Sequence, residues 1–278
     1  MSRDFRQVDV FTTAEYQGNP VAVVHGADGL TDEQMQQFAN WTNLSETTFL
    51  LEPAAAAADY RVRIFMPGSE LPFAGHPTLG SCHAWLEAGG QPARDDVVVQ
   101  ECKAGLITLR RTGAGLAFAA PPLVRGGPVD PALAERVARM LNLAPAGIVD
   151  LQWADNGPGW VAVLLDSAAA VLAVQPGTLD PDLNLGIAGP YPAGSPEALE
   201  VRAFFRKDAA TTEDPVTGSL NASLAQWLTG TGRISAPYVA SQGTVLGRRG
   251  RVSISRDDDG QVWVAGGTVT CIAGTVAL

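Results

Sequence analysis

The chain has 278 residues, of which 46% are hydrophobic and 17% charged, and its net charge is −10. That balance supplies apolar material for two cores and excludes disorder, and the negative charge works against nucleic acid and anionic membrane surfaces as partners. Cys82, Cys102 and Cys271 are odd in number with no Cys-x-x-Cys, and no apolar run suits a signal peptide or a membrane span, so no disulfide framework or zinc site is indicated and a cytoplasmic protein is expected.

In chain order, residues 7–10 and 20–24 read as strands flanking the turn at Gln17-Gly18-Asn19. Thr31-Asp-Glu-Gln34 has capping-box form, and Met35, Phe38, Ala39 and Thr42 recur at helical spacing, which predicts a helix ending near Asn43. A strand over 47–51 follows, so Glu46 sits at a helix-to-strand junction. Tyr60, Val62, Ile64 and Met66 alternate with Arg61 and Arg63, the period of a strand with one buried face, and Pro67-Gly68 stops it. A helix over about 77–88 and short strands at 97–100, 106–111 and 116–119 complete the first half.

Pro121-Pro122 through Gly126-Gly127-Pro128 reads as a linker, because these residues resist both helix and ladder. Asp130-Pro131 then opens an amphipathic helix to about Asn142, with Asp as N-cap and Pro at the first helical position. Strands are predicted near 149–153, 160–165 and 201–205, with a short helix from Ser167, and at 251–255, 261–265 and 267–278. Two domains are expected, 1–122 and 123–266, with the strand 267–278 returning to the first.

Two stretches share one logic. Leu71-Pro-Phe-Ala-Gly-His-Pro-Thr-Leu-Gly80 and Glu213-Asp-Pro-Val-Thr-Gly-Ser219 each lead through Pro and Gly into a helical pattern that reaches Trp85-Leu86 or Trp227-Leu228, a weak internal repeat. A helix start carries unpaired N–H groups and partial positive charge, and glycine lets a ligand approach the backbone. Two such ends facing one cleft would hold a small carboxylate. Alone, each polar residue has a plainer explanation: Glu46 as an exposed acid closing a helix, His76 as a structural histidine, Asp214 and Ser219 as caps. Cys82 and His83, adjacent on a helix, point about 100° apart and cannot pair. Gly-x-Ser-x-Gly, P-loop, dinucleotide and His-Glu-x-x-His signatures are missing, so no cofactor or metal is expected.

Gly18-Asn-Pro-Val-Ala-Val23, Asn43-Leu-Ser-Glu-Thr-Thr-Phe49, Glu70-Leu-Pro-Phe-Ala-Gly-His-Pro-Thr78, Asn156-Gly-Pro158, Glu213-Asp-Pro-Val-Thr-Gly-Ser219 and Gln242-Gly243 stand in series over nearly the whole chain. In that series the sequence resembles the PhzF family of phenazine-biosynthesis-like isomerases. The resemblance implies an α+β fold similar to diaminopimelate epimerase: two pseudo-symmetric domains, each a curved, mostly antiparallel sheet wrapped around a central helix, with the active site between them. It implies Glu46 as catalytic acid/base, His76, Asp214 and Ser219 as further catalytic groups, Gly75 and Gly218 as substrate-binding backbone donors, Asn19 and Ser45 as weaker substrate contacts, and a homodimer.

The expected activity is a cofactor-independent proton shift on a small carboxylate. A carboxylate near its free pKa of about 4.3 is a weak base, so Glu46 must be partly buried to serve near neutral pH. The alternative is a non-catalytic metabolite-binding or interaction protein with the same fold. A thiol-dependent racemase is disfavoured, since neither helix start carries cysteine.

Overall fold

Apolar alternation sets the opening strands. In the computed structural model, which describes residues 2–207 and 209–278, β1 (Ser2–Val10) pairs antiparallel with β2 (Asn19–Val24), Val10 lying opposite Asn19. Helix α1 (Asp32–Thr42) carries the capping box: Thr31 Oγ1 accepts from the Gln34 N–H at 3.3 Å and Gln34 Oε1 from the Thr31 N–H at 2.9 Å. The helix ends at Asn43, in left-handed conformation (φ 53°), which Asn tolerates better than most residues. The chain then enters β3 (Glu46–Leu51), parallel to β2, followed by antiparallel β4 (Tyr60–Met66) and β5 (Ser69–Leu71). After α2 (Gly75–Glu87) come β6 (Val97–Cys102), parallel to β4, then β7 (Gly105–Thr112) and β8 (Gly115–Ala119).

The order then repeats. β9 (Arg125–Pro128) and α3 (Pro131–Met140) precede β10 (Ile148–Asp155), which pairs antiparallel with both β9 and β11 (Trp160–Leu165). After the short α4 (Ala168–Ala173), β12 (Asn184–Pro190) runs parallel to β11, and β13 (Leu199–Lys207) and β14 (Ala210–Asp214) continue antiparallel. Helix α5 (Gly218–Gly230) leads to β15 (Tyr238–Gln242), parallel to β13, and then to β16 (Gly250–Arg256) and β17 (Val262–Gly266). The last strand, β18 (Thr268–Ala277), lies antiparallel along β1 from Ser2 opposite Ala277 to Val10 opposite Thr268. The chain divides into two compact units, Met1–Ala119 with Ala265–Leu278, and Ala120–Val264.

Within each unit a 13-residue helix that starts on glycine is the centre. In α2, His76, Thr78, Leu79, Gly80, Ser81, Cys82 and Ala84 are buried, and strands β1, β2, β3, β6, β8 and β18 all touch the helix. In α5 the residues from Leu220 to Ala225, with Trp227 and Leu228, are buried. A helix buried over most of its surface must be enclosed, and a sheet curling round it does so. Gly80 permits the close approach: a Cβ there would lie 2.3 Å from Val21 Cγ1. Further apolar layers cover the outer faces: Met35 and Phe38 of α1 cluster with Phe49 and Phe65, and Val137 of α3 and Leu141 at its end cluster with Val163 and Ile187.

The sequence-based element boundaries need three corrections. The expected linker contains β9, because Gly126 and Gly127 pair with Ala154 and Trp153 while the Arg125 guanidinium lies 3.5 Å over the Trp153 ring. Helix α2 begins at Gly75 rather than Pro77; its third residue has no intrahelical acceptor for an N–H, so proline costs nothing there. Strands β5, β12, β14 and β15 carried no clear period-two signal: β12 is buried over five consecutive residues, whereas β14 is part-exposed throughout.

Candidate functional site

The first unit brings Glu46 and His76 together. Glu46 is the first residue of β3, and the parallel register with β2 sets it opposite Val21. His76 is the second residue of α2, whose first backbone bond runs from the Thr78 N–H to the Ala74 carbonyl at 3.2 Å. The N–H groups of Gly75 and His76 therefore have no acceptor within the helix, and Pro77 has none to offer. His76 Nε2 lies 3.3 Å from Glu46 Oε2, with the two side chains 7% and 16% exposed.

Burial pushes the His76 imidazole down to about 3, only partly offset by its hydrogen bond to the Pro20 carbonyl. The ring is therefore neutral near pH 7, and its contact with Glu46 is not an ion pair. The Pro20 carbonyl can only accept, so the neutral ring keeps its proton on the nitrogen facing that carbonyl and turns Nε2 toward Glu46 as an acceptor. The turn that supplies Pro20 is itself pinned: the Gly18 N–H donates to buried Asp9 Oδ2 at 2.8 Å, and a Cβ at Gly18 would meet the Val10 carbonyl oxygen at 2.1 Å. Asn19 beside it is fully buried, and Ser45 is exposed next to Glu46. At Gly75 a Cβ would lie 2.6 Å from Phe118 Cζ, so packing demands glycine.

In the second unit Asp214, Gly218 and Ser219 cluster where β14 hands over to α5. Asp214 ends the strand and is not the helix cap; that position belongs to Thr217, whose hydroxyl donates to Asp214 Oδ2 at 2.5 Å. Gln242, fully buried, organises the rest: its Oε1 accepts from the Thr217 N–H at 3.0 Å and Asn221 Nδ2 at 2.8 Å, and its Nε2 donates to Thr217 Oγ1 at 2.9 Å and the Asp214 carbonyl at 3.2 Å. The N–H groups of Gly218 and Ser219 lie in the first turn and keep no intrahelical acceptor. Gln242 was visible in the sequence only as part of Gln242-Gly243, and nothing local signalled Thr217 or Trp160.

Thiol chemistry has no place in either cluster. Cys82 is fully buried in α2, and burial pushes its thiol up to about 12, which leaves almost no thiolate at neutral pH. Iodoacetamide applied to the folded protein should leave Cys82 unlabelled and activity unchanged, as read by peptide mass spectrometry beside an assay; inactivation that tracks Cys82 labelling would contradict this. Among the described residues no three His, Cys, Asp or Glu side chains gather as a metal ion would require, and no helix is long and apolar enough to cross a membrane.

Duplicated units, each a sheet curled round a buried helix that starts on glycine, define the diaminopimelate epimerase-like α+β fold. The chain belongs to the phenazine biosynthesis-like protein family, whose model matches residues 8–274. It is 34% identical to antisense-enhancing sequence 1 of Schizosaccharomyces pombe over 294 aligned residues, covering 97% of each chain. It is 33% identical to the trans-2,3-dihydro-3-hydroxyanthranilate isomerase of Pseudomonas chlororaphis over 281 aligned residues, covering 98% of each. The crystal structure of a Bacillus anthracis phenazine biosynthesis protein of the PhzF family superposes with a TM-score of 0.83 over 100% of both chains; at 23% identity it shows the fold alone. By class the chain is an isomerase.

Proposed function

We propose that the chain moves a proton between two carbons of a small unsaturated carboxylate bearing an amino or hydroxyl group, with Glu46 as the group that takes and returns it. Glu46 removes the proton from carbon, the electron pair moves into a new double bond while the old one opens, and Glu46 returns the proton at the far carbon; nothing is oxidised or reduced. One observation carries this reading: the Glu46 carboxylate stands 3.3 Å from a neutral imidazole at the N-terminus of a buried helix. Such a setting holds a proton in transit near backbone donors that stabilise developing negative charge.

Gly75 and Gly218 contribute N–H groups to the substrate carboxylate or the developing charge, and Ser219 adds its hydroxyl. Asp214 acts at the α5 start it helps to hold. Asn19 and Ser45 are substrate contacts of lesser weight. The substrate named for the Pseudomonas chlororaphis relative is the first compound to try. Incubating it with the protein in deuterated water should give an isomerised product, with deuterium at carbon to the extent that the abstracted proton exchanges with solvent. A panel of amino and hydroxy carboxylates that bind but show neither isomerisation nor label would leave only a binding protein.

A further inference from the structure

We infer that Trp160 is a positioning residue for the Ser219 hydroxyl, a step that rests on the reading of the α5 start as an anion seat. Trp160 opens β11 and is 4% exposed, and its Nε1 donates to Ser219 Oγ at 3.0 Å. An indole N–H can only donate, so it occupies an acceptor lobe of Oγ and turns the hydroxyl hydrogen away from itself. Ser219 is thereby held as a donor, the polarity a carboxylate needs. Left free, a serine hydroxyl rotates and presents lone pairs as readily as its hydrogen.

The segment before Trp160 secures the same residue. Asn156 Nδ2 donates to the Ser219 carbonyl at 2.9 Å, and since that carbonyl only accepts, the amide orientation is settled by chemistry. The turn is rigid: Asp155 Oδ1 accepts from the Gly157 and Gly159 N–H groups, each at 2.7 Å, and both glycines have positive φ (136° and 84°). Asn184 Nδ2 ties the Pro158 carbonyl at 2.5 Å.

The duplication supports this role independently. Strands β2 and β11 occupy the same place in their units, each antiparallel to the strand before it and parallel to the strand after the next helix. In the first unit the start of β2 supplies the Pro20 carbonyl that orients His76, second residue of α2. In the second unit the start of β11 supplies the indole that orients Ser219, second residue of α5. The same end of the corresponding strand thus sets the proton disposition of corresponding side chains, through a backbone carbonyl in one unit and an indole in the other.

The test combines Trp160→Phe, Ser219→Ala and the double variant in the full chain. Kinetics use trans-2,3-dihydro-3-hydroxyanthranilate, and binding uses anthranilate as a non-reacting carboxylate. Trp160→Phe keeps an aromatic ring but removes the N–H, and should weaken binding and raise KM roughly three- to tenfold. In the Ser219→Ala background the same change should have no further effect. With ¹⁵N-labelled tryptophan, the indole signal absent in Trp160→Phe should be one that shifts in Ser219→Ala and on adding anthranilate. Equal loss in both backgrounds, or an indole signal that responds to neither, overturns the assignment to Trp160 alone. If Ser219→Ala itself leaves binding and KM unchanged, the anion seat fails and this inference falls with it. Should Trp160→Phe not fold, the wild-type indole response, identified through Ser219→Ala, still decides.

Discussion

Glu46→Gln should lower turnover by about 10²- to 10⁴-fold, the span that general acid–base catalysis contributes, while carboxylate binding stays within about threefold of wild type. The amide keeps the size and hydrogen-bonding reach of the side chain but cannot take a proton from carbon. Steady-state kinetics on trans-2,3-dihydro-3-hydroxyanthranilate, paired with calorimetry on anthranilate, separates the two effects. Deuterium incorporation should vanish together with turnover. A variant that turns over normally would remove Glu46 from the chemistry, and one that loses binding in parallel would make Glu46 a contact rather than a proton carrier. The neutral state of His76 explains why the Glu46 partner should not compete as an ion: a protonated ring at 3.3 Å would hold the carboxylate as its counter-ion and reduce its use as a base.

Acid should destabilise the protein through His76, and His76→Gln should relieve part of that loss. The folded ring titrates at about 3, against 6.5 for the free side chain. Between those values the unfolded chain binds the extra proton, so stability rises with pH and is lost as pH falls from 6.5 toward 3. The slope from this one group approaches about 1.4 kcal/mol per pH unit once pH is well below 6.5. His25 and His83 are also held below their ordinary value by burial and act with the same sign, but both remain in the variant. Glutamine is polar and does not titrate in this range, so the difference in pH slope between the two proteins reads the imidazole. Urea unfolding at pH 7.5, 6.0 and 5.0 should show the stability gap between wild type and variant closing as pH falls. Parallel curves would mean that the ring titrates alike in the folded and unfolded chain.

Much of this site was legible along the chain because helix starts announce themselves locally. Glycine and proline around His76 and before Ser219 marked both α2 and α5, and the capping box marked α1. Glu46 could be placed at the junction before β3. What could not be read was which groups set the protons. Asp214 resembled a cap beside Pro215, yet it ends β14 and accepts from Thr217. Gln242 lay in a glycine-containing loop motif, yet its amide holds the start of α5 through four hydrogen bonds. Gly75 read as an opening for a ligand, but it also clears Phe118.

The sequence by itself determined two glycine-led helix starts and an acid at a strand start, since each depends on residues that are neighbours in the chain. Only the tertiary structure decided that His76 meets Glu46 with its other nitrogen on the Pro20 carbonyl, and that an indole 59 residues earlier sets the polarity of Ser219. Those contacts arise where strands and helices distant in sequence pack together, and burial then fixes which atom carries the proton; neither distance nor dielectric is written in local composition.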